Sequence, residues 1–469
     1  MIRFSQLASN GSNRRIDPEF FSKRFMENQR IIEASLYAKK SLVDITTKID
    51  VGYVSSMVHE YVDSGIPLLQ TQNIHQFLVD YSDCIYISPE FHYSLNKSQV
   101  FPGDCLIARS GTIGNTAFIL ENDPQPLNSA DIIIVRADGD KVTNGYLAAF
   151  LNSKIGGLQV ERYTSGGVQG HINLKSIEHI LVPLTTKYLQ GAIDSVVRNG
   201  MVLYHNASEL FGSAEQTLLK ALGLEGWQPP EPLTYVRKAS EAFAEARLDA
   251  EYYAPAYDAL LDHISEKGKI RLRDAIREPV RRGISPEYVE DGDLIVINSQ
   301  HVGKTHITLN DNRKTSNSLV NKKNHRSGFV VKGDVLLNST GVITIGRCQC
   351  LIDEVQAVVD NHVAIIRPAE LLDPVYLACF LNSKPGLMQT ERGYTGSSGQ
   401  IELRPEVVED YLIWLAPKEI QDSIKQSIEM AYSARAKSKT MLDRAKHAVE
   451  IAIEQGEAAA MEYLDGAKD

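Results

Sequence analysis

Short apolar runs bounded by turn residues recur in two long stretches of the chain. Cys105–Ile107 and Ile132–Val135 are clear examples in the first stretch, and Val335–Leu337 and Val363–Ile366 are their counterparts in the second. Runs of this kind between Gly, Asn and Asp predict strands. Because strands and helices do not alternate regularly, the pattern predicts α/β (α+β) modules with mainly antiparallel or mixed sheets, and not a doubly wound fold.

One nine-residue segment occurs twice. Tyr146–Lys154 reads YLAAFLNSK, and Tyr376–Lys384, 230 positions later, reads YLACFLNSK. Both segments have helical composition, and the Asn-Ser-Lys before glycine or Pro-Gly predicts the end of each helix. Arg15–Phe21 (RIDPEFF) similarly returns as Arg247–Tyr253 (RLDAEYY). A spacing far above the roughly 20–50 residues of solenoid repeats predicts two pseudo-symmetric copies of a domain-sized module, and hence a bipartite target.

Each module is followed by a long helical pattern. Apolar positions recur three and four apart over 189–222 and again over 420–448, which predicts two helices of roughly 35–45 residues. Thr185 or Thr186 can cap the first helix, and Gly223 can end it. Since a lone helix of this length has nothing of its own to cover its apolar stripe, we expect the two stripes to face each other in an antiparallel, coiled-coil-like pair. The second helix is richer in Ala and charge, so a further helical partner could cover what remains of its stripe.

These patterns give five segments in a chain of 469 residues. They are an N-terminal segment with the first module (1–185), a central long helix (186–226), a linker (227–246), the second module (247–417) and a C-terminal long helix (418–469). No apolar run approaches the ~18–20 residues of a membrane span, and the first residues have no signal-peptide core. Five cysteines, an odd number without a pairing pattern, favour the reducing cytoplasm. Cys348 and Cys350 are more consistent with idle thiols than with a metal site.

The net charge of −10 at first argues against a nucleic-acid partner. Binding depends on where the charge lies, however, and the segment between Asp311 and Asp334 contains no acid. Its basic residues are Arg313, Lys314, Lys322, Lys323, Arg326 and Lys332. Composition alone leaves two interpretations open, a solvated loop and a loop that follows DNA phosphates.

The usual signatures of an enzyme are missing from the sequence. No Asn-Pro-Pro-aromatic or Asp-Pro-Pro-aromatic run of an amino-methyltransferase occurs. Gly303-Lys304-Thr305 resembles the end of a phosphate-binding loop, but Asn298 occupies the position of its first glycine. The histidines have no matching carboxylate or nucleophile spacing. The sequence therefore indicates a non-catalytic chain, with an undetected methyltransferase or nuclease as the enzymatic alternative and a tandem scaffold for protein or glycan as another.

Turn-rich polar loops occupy repeated positions. Ala108–Gly114 corresponds to 337–346, which contains extra residues, and 164–172 corresponds to 395–401. Glycines allow close approach to a surface, and Gln, His, Ser, Arg and Asn can contact base edges or phosphates. Gln169 and Gln400 are the leading candidates for base contact. Tight turns that merely join strands remain the alternative interpretation of these loops.

The ordered set of these segments resembles the specificity subunits of type I restriction–modification systems. The resemblance rests on Gly65–Ile74, Pro102–Gly114, Gly166–Ile177, the helix-plus-turn Tyr146–Gly156 and the junction at Val182–Pro183. Their order, their duplication and the long helix after each copy make the resemblance specific, and it covers the chain from about Arg15 to the last helix. The second copy departs from the pattern at Gly396–Gln400 and Pro385, so transfer of individual residues is weaker there.

The resemblance implies two target-recognition domains, each reading half of a split sequence in double-stranded DNA. It also implies two methyltransferase subunits and a motor–nuclease subunit as partners, with S-adenosylmethionine, ATP and Mg²⁺ serving those partners and not this chain. A target-recognition subunit of another phage-defence system is the alternative within this class. The candidate DNA-binding residues are Gln70, Gln72, Asn73, Arg109, Ser110, Thr112, Gln169, His171, Asn298, Gln300, Arg313, Lys314, Lys322, Lys323, Arg326, Asn338, Ser339, Thr340, Ser397, Ser398 and Gln400.

Overall fold

The chain folds into two compact units. Unit 1 comprises Met1–His205 with Arg435–Asp469, and unit 2 comprises Asn206–Ala434. The computed structural model describes residues 18–55, 57–81, 84–164, 170–309, 313–322, 328–396 and 401–466. Within these ranges, no helix combines the length and apolar character that crossing a membrane requires.

The elements up to Leu222 form the first copy of the module and the first long helix. The helices are α1 (Lys23–Ala34), α2 (Pro89–Ser94), α3 (Asn144–Asn152), α4 (Lys154–Arg162), α5 (Leu174–Glu178) and α6 (Lys187–Leu222). The strands are β1 (Ala38–Ser41), β2 (Thr46–Val51), β3 (Tyr61–Val62), β4 (Ile66–Leu69), β5 (Ile85–Ile87), β6 (Gln99–Val100), β7 (Asp104–Ala108), β8 (Thr116–Phe118), β9 (Leu127–Ser129), β10 (Ile132–Ala137) and β11 (Leu181–Leu184). Short 3-10 turns are Glu19–Phe21, Leu42–Ile45, Val58–Glu60, Thr71–Asn73 and Asn96–Ser98.

The elements after Leu222 repeat this order. The helices are α7 (Ala239–Glu245), α8 (Pro255–Lys267), α9 (Asn317–Lys322), α10 (Pro374–Asn382), α11 (Lys384–Gly393), α12 (Pro405–Glu409), α13 (Lys418–Gln455) and α14 (Glu457–Asp465). The strands are β12 (Lys269–Arg271), β13 (Arg281–Arg282), β14 (Leu294–Ile297), β15 (Lys314–Thr315), β16 (Val335–Asn338), β17 (Cys348–Cys350), β18 (Ala357–Val359), β19 (Val363–Ile366) and β20 (Leu412–Trp414). Short 3-10 turns are Glu251–Tyr253 and Leu272–Ala275.

The two units contain corresponding sheets, although the mixed sheet has five strands in unit 1 and three in unit 2. A four-stranded antiparallel sheet has the order β2-β10-β7-β8 in unit 1 and β13-β19-β16-β17 in unit 2. A mixed sheet has the order β3-β5-β4-β9-β6 in unit 1 and β15-β14-β18 in unit 2. In both mixed sheets one pair is parallel, β4 with β9 and β14 with β18. The predicted fold class, two tandem α/β modules with mixed sheets, is confirmed.

The repeated nine-residue segment joins α3 and α10 to their sheets. The Tyr146 hydroxyl donates to the Pro183 carbonyl at 2.5 Å, and the Tyr376 hydroxyl donates to the Trp414 carbonyl at 2.7 Å. Burial raises the pKa of both tyrosines, so the hydroxyls stay protonated donors. The Asn152 side chain bonds both backbone groups of Thr116 at 3.3 and 2.8 Å, and the Asn382 side chain bonds both backbone groups of Cys348 at 3.1 and 2.6 Å.

A second helix follows the segment in each copy, which the sequence prediction missed. Ser153 ends α3 as expected, but its Oγ also accepts from the Gly156 amide at 3.1 Å and so caps α4. A Cβ on Gly156 would lie 2.0 Å from the Phe150 carbonyl oxygen. The glycine is therefore required by the close approach of two consecutive helices, and it does not mark the end of helical structure.

A buried ion pair fastens the central strands of each antiparallel sheet. Arg136 bonds both carboxylate oxygens of Asp104 at 2.7 and 2.8 Å, and Arg367 bonds both of Asp334 at 2.6 and 2.8 Å. Both aspartates are fully buried, and each also accepts from a backbone amide of the turn before its strand, at Phe101 and Val331. The buried Arg–Asp pair and its bond to a turn amide are thus repeated in both units, as is the order of the strands.

The long helices have the predicted lengths, 36 residues in α6 and 38 in α13. The hydroxyl of Thr186 accepts from the Leu189 amide at 3.3 Å at the start of α6, and Gly223 takes a φ of +82° after its end. Within unit 1 Gly200 lies against Leu442, and the Arg435 guanidinium lies 5.1 Å from the ring of Tyr204, so the two helix segments run antiparallel as expected.

Unit 2 contains its own contact between these helices, and unit 1 contains an extra helical cover. The rings of Phe211 and Tyr432 pack edge to face at 5.6 Å. In unit 1, α14 turns back at Gly456, and its Leu464 is buried in the core cluster that includes Ala445 and Ala448. The chain thus supplies the additional helical segment that the Ala-rich stripe required. The division into units falls inside α6 and α13, whereas the sequence pattern predicted boundaries at the helix ends.

Candidate nucleic-acid interface

Polar loops meet at one edge of the mixed sheet in unit 1. The parallel strands β4 and β9 end side by side, and the Ala130 amide bonds the Leu69 carbonyl at 2.8 Å. This contact brings the loop after β4 next to Asp131. The Ile172 amide bonds the Arg109 carbonyl at 3.2 Å, which adds two more loops. We call residues 70–73, 109–115, 130–131 and 170–172 the polar edge of unit 1.

Arg109 is the centre of this polar edge. Its Nη1 lies 2.7 Å from Asp131 Oδ1, its Nε donates to the Ile172 carbonyl at 3.1 Å, and its Nη2 lies 2.5 Å from His171 Nε2. Because a guanidinium can only donate, His171 accepts at Nε2. The Arg109 side chain is only 13% exposed. Its donors are therefore directed at the protein itself, and the side chain holds three loops in register.

The other predicted residues of this edge fall into two groups, those accessible to solvent and those that are buried. Gln72 and Thr112 are exposed, and Gln70 and Ser110 are half-buried, so their polar atoms can reach a ligand. Asn73 is buried, with Oδ1 accepting from the Gln70 amide at 2.8 Å and Nδ2 donating to the Asp80 carbonyl at 3.0 Å. The structure gives Asn73 the role of shaping the loop that presents Gln70 and Gln72.

The equivalent edge of unit 2 is built from the same strand ends. Parallel strands β14 and β18 end together, and the Asp360 amide bonds the Ile297 carbonyl at 2.9 Å. The Ser339 amide bonds the His362 carbonyl at 2.9 Å, and the Leu403 amide bonds the Ser339 carbonyl at 2.8 Å. We call residues 298–301, 339–347, 360–362 and 401–403 the polar edge of unit 2.

Different side chains perform the work of Arg109 in unit 2. Thr340 Oγ1 lies 2.8 Å from His362 Nδ1, and Ser339 Oγ donates to the His362 carbonyl at 3.0 Å. The cation comes from another strand, since Arg282 pairs with Glu402 and also donates to the Leu403 carbonyl at 2.8 Å. A hydroxyl–imidazole contact thus replaces the Arg–Asp pair of unit 1.

The remaining predicted residues of this edge again include both buried and exposed side chains. Asn338 is buried, and its Nδ2 donates to the Ser299 and Val302 carbonyls at 3.0 and 3.1 Å. Asn298 Oδ1 accepts from the amide of Gln300 at 2.9 Å, and the Gln300 side chain is exposed. Burial lowers the pKa of the neighbouring His301, whose Nδ1 accepts from the Asn298 amide at 3.0 Å. Asn338 and Asn298 therefore fix loop shape, while Gln300 faces outward.

Part of the basic segment is exposed. Arg313 and Lys314 are both exposed, Lys314 on the edge strand β15 and Arg313 with its guanidinium 4.9 Å from the Tyr288 ring. Both side chains can follow a phosphate backbone. Lys322 ends α9, and its side chain is outside the described part. Six further predicted residues lie outside the described residues: Gln169, Lys323, Arg326, Ser397, Ser398 and Gln400.

Sequence reasoning missed several residues that build these edges. Asp131 and His362 precede the predicted strands, but nothing in the sequence shows that they face Arg109 and Thr340. Arg282 lay in no repeated loop. The one sequence signal for Asp131 and His362 was their place directly before β10 and β19. Residues there must lie beside the ends of β7 and β16 once the strands pair.

The described residues contain no group of three or more His, Cys, Asp or Glu side chains placed to hold a metal ion. Cys348 and Cys350, the closest pair in sequence, are both buried in β17. Burial raises the pKa of Cys350 to about 12, and Cys348 Sγ lies 3.6 Å from the Ala378 carbonyl oxygen. Both are packed thiols of the unit 2 core.

No family model matches the chain, and no curated protein is similar to it in sequence. Among solved structures, it is similar to the S subunit of a type I restriction–modification system from M. genitalium, with 11% identity and a TM-score of 0.41 over 90% of this chain and 96% of that one. It is similar to the HsdS subunit from Thermoanaerobacter tengcongensis, with 14% identity and a TM-score of 0.29 over 90% and 97%. A chain from a type I restriction–modification assembly gives 15% identity and 0.29 over 90% and 98%. These identities and scores are too low to carry residue roles across.

Proposed function

We propose that this chain is a non-catalytic DNA sequence-specificity subunit of a type I restriction–modification complex. Each unit reads one half of a bipartite target in double-stranded DNA through its polar edge. The observation that supports this most strongly is that the two units share an equivalent scaffold but have different side chains at their polar edges. Arg109 bonds Asp131 in unit 1, and at the equivalent strand ends of unit 2 Ser339 and the next residue, Thr340, bond His362.

A protein that reads two different DNA half-sites with duplicated domains requires both an equivalent scaffold and different residues at the two polar edges. Two equal scaffolds present loops in the same way, and unequal loops read different sequences, since bases are distinguished by the donors and acceptors placed against them. An enzyme duplicated for catalysis would instead keep the same reactive groups in both copies. The residues at the two edges differ in charge and in hydrogen-bonding type, which favours recognition.

A specificity subunit of a type I system implies partner subunits for this chain. Methyltransferase subunits and a motor–nuclease subunit assemble with the chain, and S-adenosylmethionine, ATP and Mg²⁺ belong to those subunits. A DNA-reading role places the chain in the cytoplasm with its target. Mapping adenine methylation in the host with and without this gene tests the proposal. Loss of one bipartite motif supports it, and an unchanged methylation pattern contradicts it.

We also propose that α6 and α13 set the length of the unread spacer and dock the methyltransferase subunits. At 1.5 Å per residue, the 36 residues of α6 extend about 54 Å. Inserting four residues after Ser208, with four more after Lys437 in α13, adds about 6 Å and nearly preserves each apolar stripe. The spacer in the methylated motif should then grow by about one or two base pairs, at roughly 3.4 Å each. Methylation with an unchanged spacer would contradict this role.

A further inference from the structure

The loop after β16 is two residues longer than its equivalent after β7. Both loops are closed by the same backbone bond, from the Ala108 amide to the Asn115 carbonyl at 3.0 Å and from the Asn338 amide to the Arg347 carbonyl at 2.9 Å. Six residues lie inside the first closure and eight inside the second. The polar edges therefore differ in loop length as well as in composition.

The extra residues can be located from the shared geometry on either side of them. Gly111 and Gly341 both take positive φ, +66° and +92°. Ile113 and Ile345 both pack partly buried against the core of their own unit. Aligning these two anchors leaves Val342 and its neighbour Ile343 without counterparts in the shorter loop.

These two residues form an apolar tip on a folded turn. Val342 is 58% exposed and Ile343 is 78% exposed. The turn beneath them is held by the Thr344 and Ile345 amides, which donate to the Gly341 carbonyl at 3.2 and 2.9 Å. Because both tip residues are β-branched, their side chains have few rotamers to lose on binding. The tip is thus apolar and open to solvent, and its side chains lose little conformational freedom on binding.

The size and position of the tip favour DNA over a protein partner. A stable protein interface buries about 800 Å² on each partner, far more than two side chains provide. The tip belongs to the loop that carries Ser339 and Thr340 on the polar edge, so a ligand bound at that edge lies against it. In the major groove, the apolar group that distinguishes one base from the others is the C5 methyl of thymine.

We propose that Val342 and Ile343 read thymine methyl groups in the half-site bound by unit 2. The inference rests on the proposed DNA-reading function and specifies part of its target. At least one A·T pair in that half-site presents its methyl group to the tip. The shorter loop of unit 1 has no such apolar tip, so the two half-sites differ in their dependence on thymine methyls.

The test replaces thymidine by deoxyuridine, which removes the methyl group and leaves base pairing intact. The full chain, purified from its host with the subunits it carries, is offered randomised DNA duplexes made with either nucleotide. The wild type should bind its selected sequence about fourfold more tightly with thymidine for each methyl contacted. Val342→Thr with Ile343→Thr keeps the branched shape but replaces part of the apolar surface by two hydroxyls, and it should lower this ratio. Val58→Thr, at a similarly exposed valine outside both polar edges, is the matched control and should leave the ratio unchanged.

Deleting residues 342 and 343 gives the loop the length found in unit 1, removes the apolar tip and should abolish the difference. Thermal unfolding of the double threonine variant should match the wild type, because both positions are exposed. If the wild type selects no DNA sequence, both this inference and the proposed function are wrong. If it selects a sequence but binds the two DNAs equally at the second half-site, or if the threonine variant keeps the full ratio, only the methyl readout is wrong.

Discussion

The two polar edges are alike in backbone and unlike in chemistry. Beneath them, Asp104 and Asp334 make the same buried bonds to an arginine and a turn amide. Above them, an arginine joins the loops of unit 1, whereas Thr340 and His362 meet in unit 2. The difference teaches that the residues that determine the fold and those that face a ligand are separate sets, so the loops can change without cost to the scaffold.

The largest expected effect concerns the repeated ion pair. Asp104→Ala removes the acceptor of the Arg136 guanidinium and the Phe101 amide. Asp334→Ala removes an acceptor of the Arg367 guanidinium and that of the Val331 amide, although Arg367 keeps its ion pair with Glu278. We expect each to lower the free energy of unfolding by about 2–3 kcal/mol, at the low end for a broken buried pair because both arginines are partly exposed. Hydrogen exchange followed separately in each unit measures this.

The exposed carboxylate of Asp353 supplies the control for this pair of variants. Asp353→Ala should change the free energy of unfolding by at most about 0.5 kcal/mol. If Asp104→Ala destabilised its unit and Asp334→Ala did not, the two scaffolds would not be equivalent, and the comparison between the units would fail.

A smaller, local effect is expected at Arg109. Arg109→Ala removes the bonds to Asp131, Ile172 and His171, so the loops of unit 1 lose their common anchor. We expect discrimination within the first half-site to fall by about 1–3 kcal/mol and the second half-site to be unaffected. Binding to sets of single-base variants in each half-site measures the change.

The alternative for Arg109 is a direct phosphate contact. In that case all sequences would lose affinity equally, and the dependence of log affinity on log salt would decrease by about 0.9. Arg109→Lys further distinguishes the positioning role from a phosphate contact, because a lysine keeps the charge but cannot reach the three partners of the guanidinium at once. Recovery of normal discrimination by Arg109→Lys would contradict the positioning role.

The smallest and most uniform effect is expected from the exposed basic residues. Arg313→Ala with Lys314→Ala should weaken binding to every DNA sequence and reduce the salt slope by about 0.9 for each phosphate that the variant no longer neutralises. Lys267→Ala removes an exposed charge at the end of α8 and serves as the control. An unchanged slope in the double variant would mean that this part of the basic segment is merely solvated.

Much of the fold could be predicted because its signals are local. The strands around Cys105, Ile132, Val335 and Val363 stand where apolar runs meet turn residues, and Gly223 ends α6 as expected. The second helices, α4 and α11, were missed because glycine and proline near their starts suggest an end of structure. In α11 proline occupies the first turn, where its missing amide costs nothing.

The site was harder to predict because its contacts are distant in sequence. Arg109 was correctly placed in a loop, but the partners that occupy its donors, Asp131 and His171, are 22 and 62 positions away. Asn73 and Asn338 are of a residue type that often contacts nucleic-acid ligands. Both are buried instead and support the loop backbone. Residue type predicts that a polar side chain makes hydrogen bonds, but only the packed fold decides whether its partner is the protein or a ligand.

The central claim is that each unit reads its own half of the target. Exchanging residues 40–183 for the equivalent module of a related subunit with a different methylation motif tests it most directly, with host adenine methylation as the readout. The account predicts that one half of the methylated motif changes to that of the donor, while the other half and the spacer length are retained. A change in both halves would contradict independent reading by the two units.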